Sequence, residues 1–475
     1  MRLTLTLAAC LLAANVAHAS EPTTIPDRAL RTAAELREKA LADTLAYALV
    51  EELTTTIGPR LAGSDNDLKA REWMLAKFRE LGFDKVWSEP VTFPKWVRRS
   101  EHASIVEPSQ QALVISALGH SVATPAGGLR APVVAFESLD ALSAADPDAV
   151  SGRIVYIGPR MQVSREGRSY GISSSIRSRG PSIAAQKGAA AFLLRSAGTS
   201  QARQAHTGVT RFAEGVTPIP AAALSNPDAD QIERLLKRGA AVIVRLDIDV
   251  GFEGEYTGAN VIGEISGRNS DEHFLTGGHL DSWDPGTGAI DDATGIGITT
   301  AAAHLIGQLP DKPARSIRVV AFANEEAGLY GGKAYAERHR DAIGQAILGS
   351  ESDLGTGRIY KATATVKPEA RGAIARIAEA LAPLGISYDA DAPGAGGSDL
   401  SAVHAVGMAG LSLHQDATTY FDLHHSASDT LDKVEIDALR QNVAAYAVAI
   451  YLTIEAEGDF GSAPGAFAPS AGQSR

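Results

Sequence analysis

The sequence contains a single cysteine, Cys10, and it lies within the first twenty residues. A chain that loses that leader has no thiol, which excludes disulfides, thiolate metal sites and cysteine nucleophiles. Stability must then come from the size of the core or from bound metal. Long apolar runs are also lacking. After the leader nothing approaches the roughly eighteen residues needed to cross a bilayer. Basic residues are too few to balance the acidic ones: 44 Lys and Arg against 56 Asp and Glu leave a net charge of −12. That acidity argues against a nucleic-acid or anionic-membrane partner. Ser/His/Asp catalysis has no support in the sequence. The rest is ordinary globular usage, 45% hydrophobic and 21% charged over 475 residues. Such a chain accommodates two or three domains, or one large core with an insertion.

The leader itself is informative. Arg2 is its only charge, an apolar stretch LTLTLAACLLAANVA follows, and Ala17-His18-Ala19 offers small residues around a cleavage point. We read residues 1–19 as a signal peptide, so the mature protein is expected to be secreted or periplasmic. Removing Arg2 with it takes the net charge from −12 to −13. LAAC resembles a lipid-attachment box only superficially, because too little apolar sequence precedes Cys10; no membrane anchor is expected.

Beyond the leader, residues 31–55 and 67–81 read as helices around the turn GPRLAGS, and KVWSEPVTF as a strand. Residues 20–107 form an N-terminal part. Residues 108–249 switch to short β-branched runs (APVVAF, RIVYIG, AAFLLRS, AVIVRLDID) between Ser/Gly/Arg-rich loops, with one helix at 229–238. No cluster of metal ligands occurs there, and the stretch reads as an inserted β-rich domain with its own small sheet. From 250 to 457 strands (ANVIGEI, HFLTGGH, SIRVVAFA, QAILGSES, AGLSLHQ) alternate with helices at 293–309, 329–340, 369–384 and 435–455. That alternation predicts an α/β fold with a mainly parallel, mixed sheet flanked by helices. The Gly/Ser/Ala/Pro-rich tail, 458–475, is expected to be disordered.

Histidines and carboxylates concentrate where strands of the last domain end: GGHLDSW, AIDDATG, FANEEAG, SESDLG and FDLHHSASDT. Ligands bind at the carboxyl ends of strands in open parallel sheets, so distant segments can converge there. Imidazole plus carboxylate without thiolate suits zinc or a similar divalent ion. One catalytic zinc needs three protein ligands. Five ligands make sense if a carboxylate bridges two ions about 3.5–4 Å apart, with a spare glutamate left to move protons.

These motifs, in this order, resemble the co-catalytic zinc exopeptidases of the M28 peptidase family, and within it the carboxypeptidase Q branch. The resemblance covers the last domain and the N-terminal helices, and the middle segment is similar to a protease-associated domain. It implies two Zn2+ ions and a zinc exopeptidase fold. His279 and Asp353 would hold one ion, Glu326 and His425 the other, and Asp291 would bridge them. Asp281 would orient the His279 imidazole, and Glu325 would be the general base. A cis peptide between Asp291 and Asp292 is also implied. His424 stands where many relatives have a tyrosine that holds the oxyanion. The His-His pair is instead like the carboxypeptidase Q branch, and His424 is the candidate for that task.

The implied substrates are dipeptides or short peptides. An aminopeptidase acting on longer peptides is the near rival; a single-zinc glutaminyl cyclase and a non-catalytic binding module are distant ones. Whether the insert gates the site or mediates a homodimer stays open. Asp292 is as readily a turn partner as a functional group, and Asp399 in PGAGGSDLS matches a recurrent family aspartate. Arg60 is either a structural partner or a terminus binder. Tyr420 is expected to pack, and His304 and His339 to be packing or dipole partners.

Overall fold

The structure, a computed structural model, describes residues 21–467; the segment read as a signal peptide lies outside them. Its centre is the strand Asn269–His279, which pairs in parallel with Arg315–Phe322 on one side and Ala346–Glu351 on the other. Gly410–Gln415 continues in parallel beside Ala346–Glu351, while Ile359–Thr365 and Ile243–Ile265 add antiparallel strands on the two flanks. The mixed, centrally parallel sheet expected from the alternating pattern is therefore present. Ile359–Thr365 is a strand the pattern did not reveal.

The central strands are near-continuous apolar runs because both faces are covered. Successive residues point to opposite sides: Phe274, Val319 and Ala321 enter one core, and Leu275, Val320 and Phe322 the other. The first core packs against the helices Asp27–Leu41, Thr294–Gly307 and Ile436–Glu455, the second against Tyr330–Arg338 and Leu400–Val406. Ile436–Glu455 is buried almost all round, and its Gln441 side chain is satisfied by the backbone of Ile359 and Leu384.

Four local expectations need correction. The helix expected over 31–55 is two helices, Asp27–Leu41 and Leu45–Glu52, the latter running on into a wider turn, Leu53–Ile57. The break falls where Asp43 Oδ2 accepts the N–H of Ala46 at 2.9 Å and restarts the helix. The strand begun by KVWSEPVTF runs through Lys85–Glu107 and pairs antiparallel with Ile243–Ile265 along its whole length. This ribbon crosses residue 249 without a break, and Leu129–Phe136 pairs onto it. The insert's strands therefore extend the main sheet rather than forming a separate one.

A helix, Tyr170–Gln186, forms where a Ser/Gly/Arg-rich loop was expected. Its composition is a poor helix former, and packing overrides propensity. Gly180 lies so close to Phe192 that a Cβ there would sit 2.4 Å from the ring. The tail, finally, is ordered through Phe467. Phe460 is fully buried and Phe467 stacks on the His404 ring, so apolar anchors hold a segment whose composition suggested disorder.

Candidate metal centre

The candidate ligands and base lie on segments that follow strands of the sheet. His279 closes Asn269–His279, and Asp291 lies in the turn Ala289–Ala293 before the helix Thr294–Gly307. Glu325 and Glu326 follow Arg315–Phe322, and Asp353 follows Ala346–Glu351. The peptide between Asp291 and Asp292 is cis, as the resemblance implied. Asp292 itself ties strand to helix: its carboxylate accepts the N–H of His279 at 3.1 Å and that of Gly295 at 2.9 Å. The fit is tight enough that a Cβ at Gly278 would lie 2.3 Å from that carboxylate.

Asp291 stands between two groups of side chains. Its Oδ1 is 3.0 Å from His279 Nε2, which in turn is 3.4 Å from Asp353 Oδ1. Its Oδ2 faces His425 Nε2 at 3.3 Å, and that nitrogen is 2.8 Å from Glu326 Oε2. Donor atoms within 4.8 Å of one another occur in three sets: His279, Asp291 and Glu326; His279, Asp292 and Asp353; Asp291, His424 and His425. All six residues predicted as ligands or base thus converge, with Glu325 and Glu326 lining one cavity of about 490 Å³ with Asp291, Asp353 and His425. The residues present fit a divalent cation. Asp291 Oδ2 and Glu326 Oε1 are buried with no hydrogen-bond partner, a costly state for carboxylate oxygens unless a cation takes them.

The electrostatics describe a site crowded with negative charge. Burial, and then the neighbouring Asp353 and Glu326, push the Glu325 carboxyl well above its ordinary range, against the pull of His279. Burial and Asp291 raise Glu326, opposed by His425. Burial also disfavours a charged His425, but Glu326 and Asp291 prevail and hold it up to about 9. His424 is driven the other way, well below its ordinary value, by burial and by the adjacent His425. The two rings stack with centroids 3.4 Å apart, and His424 Nε2 lies 3.6 Å from Asp291 Oδ2.

The role of Asp281 differs from expectation, and the alternatives at other positions are decided by their contacts. It is the backbone carbonyl of Asp281 that accepts from His279 Nδ1, at 2.9 Å; the Asp281 carboxylate stands off at 3.7 Å and accepts the N–H of Glu325 at 3.0 Å. Asp281 therefore touches both sides of the site, but orients the imidazole through its main chain. Asp399 is fully buried, pushed up to about 8 by burial, and holds the N–H of Gly332, outside the cavity lining. Arg60 is also fully buried and donates to the carbonyls of Gly58, Leu280, Thr287 and Gly288, which makes it a structural tie. Tyr420 packs against Phe421 and His424, while His304 and His339 bond Leu81 and Glu89.

Two groups of residues escaped the sequence. Asp429, in the same motif as the His pair, accepts the N–H groups of Ile290 at 2.6 Å and Asp291 at 3.2 Å and so fixes the turn that carries Asp291. The insert supplies the rest. His206 Nδ1–H donates to the His424 carbonyl at 2.7 Å, and the Thr207 N–H to that of His425 at 2.9 Å. The Thr207 carbonyl faces His425 Nδ1 at 3.2 Å, which leaves Nε2 free to ligate. Tyr170 and Arg177 line the cavity. No spacing or motif in a segment without clustered ligands marked any of these.

Comparison with known proteins agrees with this geometry. The pattern of peptidase family M28 matches residues 260–450. Carboxypeptidase Q of Xenopus laevis is 33% identical over 405 residues, 85% of this chain and 84% of that protein. Human carboxypeptidase Q is 32% identical over 412 residues, 86% and 85% of the two chains. The crystal structure of a peptidase M28 precursor from Shewanella amazonensis covers 92% of this chain and 99% of its own, at 45% identity and a TM-score of 0.89. An aminopeptidase from Aneurinibacillus sp. strain AM-1, 21% identical with a TM-score of 0.59 over 92% and 98% of the chains, shares the fold. With the ligand-bearing segments in place at the ends of that shared sheet, this chain belongs to peptidase family M28 and is a metallopeptidase.

Proposed function

We propose that this protein is an exported exopeptidase that holds two zinc ions and hydrolyses dipeptides or short peptides. The observation that carries the reading is Asp291, whose two carboxylate oxygens face separate His/carboxylate groups, Oδ1 toward His279 and Asp353 and Oδ2 toward His425 and Glu326. In this reading His279 and Asp353 would hold one ion and His425 and Glu326 the other, with Asp291 available to both. Bound zinc supplies Lewis acidity that lowers the pKa of water and favours negative charge on a peptide carbonyl oxygen.

The chain's own residues do the rest. Glu325 is half-buried and lines the cavity beside Asp353 without the close His425 contact that engages Glu326. It takes a proton from the attacking water at its carboxylate and returns it to the leaving amine. Burial and neighbouring acids raise its proton affinity, which suits a group that must hold a proton between the two transfers. His424, neutral and within 3.5 Å of the Tyr170 hydroxyl, donates one N–H toward the developing oxyanion. The cavity of about 490 Å³ suits a short peptide rather than a folded chain. We further propose that residues 1–19 direct export and that residues 108–249 are a protease-associated insertion. Among the described residues no helix is long and apolar enough to cross a membrane.

The test combines metal analysis with a base variant. Two zinc ions per chain are expected, and Glu325→Gln should lower kcat by about 10²- to 10⁴-fold with both ions retained. One ion per chain, or full activity in Glu325→Gln, would overturn the reading.

A further inference from the structure

Arg98, outside the metal cavity, spends its guanidinium on joining three parts of the chain. It lies on the ribbon strand Lys85–Glu107, with its side chain 10% exposed. Nε donates to the two carboxylate oxygens of Asp284, at 3.1 and 3.0 Å, on the segment that follows His279. Nη1 donates to Glu101 at 2.5 Å, to the Ser116 hydroxyl at 2.9 Å and to the Ala117 carbonyl at 3.0 Å. Nη2 donates to Thr207 Oγ1 at 3.1 Å, and that hydroxyl donates in turn to the Ala117 carbonyl at 2.8 Å. A rigid fork of donors fixes several partners at once, which a lysine ammonium on a flexible stem does not.

Thr207 is fully buried, and its carbonyl faces His425 Nδ1 at 3.2 Å. A carbonyl oxygen only accepts, so it calls for the proton on Nδ1 and leaves the lone pair on Nε2, toward Asp291 and Glu326. Arg177 Nη1 stands 3.5 Å from the same Nδ1 and only donates, which favours the opposite tautomer. The outcome depends on how near the Thr207 carbonyl is held. The Thr207 N–H donates to the His425 carbonyl at 2.9 Å, so it moves with the loop it would have to fix. The Thr207 hydroxyl, by contrast, is tied outside that loop, to Arg98 and Ala117.

We propose that Arg98 is a positioning residue for the metal centre: by holding the Thr207 side chain it keeps the Thr207 carbonyl on His425 Nδ1, and so sets the affinity of the ion that His425 and Glu326 would hold. The inference rests on the two-zinc reading above and deepens it. The ion of His279 and Asp353 is not under this control, because the His279 imidazole is oriented by the main chain of Asp281. The fixed end of the clamp lies on the ribbon and the other end in the insert. Displacing the insert from the ribbon therefore loosens one ion before the other.

The test dialyses zinc-loaded full-length protein against buffered free zinc of falling concentration and counts the ions retained. T207V keeps the shape of the side chain and the Arg98–Asp284 pair but removes the hydroxyl. One of its two binding steps should weaken by about 10- to 100-fold, the scale of losing the outer partner of a metal-bound histidine, and the other should not change. T207S, which keeps the hydroxyl, should retain both ions as the unaltered protein does. R98K keeps the charge without the fork; it should weaken the same step, and it decides alone if T207V does not fold. In D353N, where the ion of His279 is lost first, T207V should weaken the ion that remains. Two unchanged steps in T207V, two equally weakened ones, or a T207S that behaves like T207V would each overturn the clamp. A lowered Tm in T207V at unaltered zinc affinities would also overturn it, since a purely structural tie gives that result. A single ion per chain in the unaltered protein would overturn the two-zinc reading; the clamp would then stand if T207V loosens that ion and T207S does not, and fall otherwise.

Discussion

At the scale of single residues, the site is decided by pairs that look interchangeable in sequence. Glu325 and Glu326 are neighbours, yet only Glu326 places an oxygen 2.8 Å from His425 Nε2. His424 and His425 are neighbours too, and the left-handed backbone of His425, at φ 60°, turns the chain so that both rings face the same side. His425 Nε2 reaches both Asp291 and Glu326, whereas His424 approaches Asp291 alone, at 3.6 Å, beside the Tyr170 hydroxyl. The two histidines should therefore respond differently to truncation. Replacing His424 by alanine should leave two zinc ions bound and lower kcat by about 10²- to 10³-fold, the effect of losing one oxyanion donor. An unchanged kcat at full zinc content would remove His424 from the chemistry.

At the scale of elements, the insert and the metal centre are one mechanical unit. The turn after the strand Ile115–Ala117 brings Gly119 against Trp283, so that a Cβ on Gly119 would lie 2.2 Å from the indole. Trp283 is 4% exposed, wedged between Trp96 at 6.2 Å and His425 at 5.9 Å between ring centroids, and has no free direction to yield. Gly119→Ala adds one methyl group far from the ligands in sequence. It should cost about 1–3 kcal/mol of stability, as overpacking does, and lower kcat/KM through displacement of the His425 loop. Thermal unfolding and steady-state kinetics measured on the same preparation check this. Wild-type values in both would show that Trp283 does not transmit strain from insert to site. Helix formation in Tyr170–Gln186 belongs to the same scale: packing of Gly180 on Phe192, not local propensity, places Arg177 in the cavity.

At the scale of the molecule, the fold gathers carboxylates it cannot satisfy alone. Burial and like charge push Asp292, Glu325 and Glu351 well above the ordinary carboxylate range around one centre. A chain without cysteine in its described residues has no disulfide to hold that arrangement. Bound cations that neutralise the site therefore stabilise the folded state by linkage, by about 2.7 kcal/mol when free ion is 100-fold above its dissociation constant. Treatment with a chelator should lower the Tm and abolish activity together, and added zinc should restore both. A Tm that is indifferent to chelation while activity is lost would mean that the sheet holds the centre without help from the ions.

What the sequence determined by itself is what repeats along the chain or sits at a strand end. Apolar runs such as SIRVVAFA and HFLTGGH announced the parallel sheet, because strands buried on both faces carry no other pattern. The His and carboxylate residues at their ends announced the centre, because strand ends are where such a sheet binds ligands. Tertiary structure alone decided the rest. The junction between insert and main sheet was not legible because the ribbon of Lys85–Glu107 and Ile243–Ile265 pairs segments far apart in the chain. The contributions of Tyr170, Arg177, His206, Thr207 and Asp429 were not legible for the same reason: they act through long-range contacts, which leave no periodicity or spacing in the sequence.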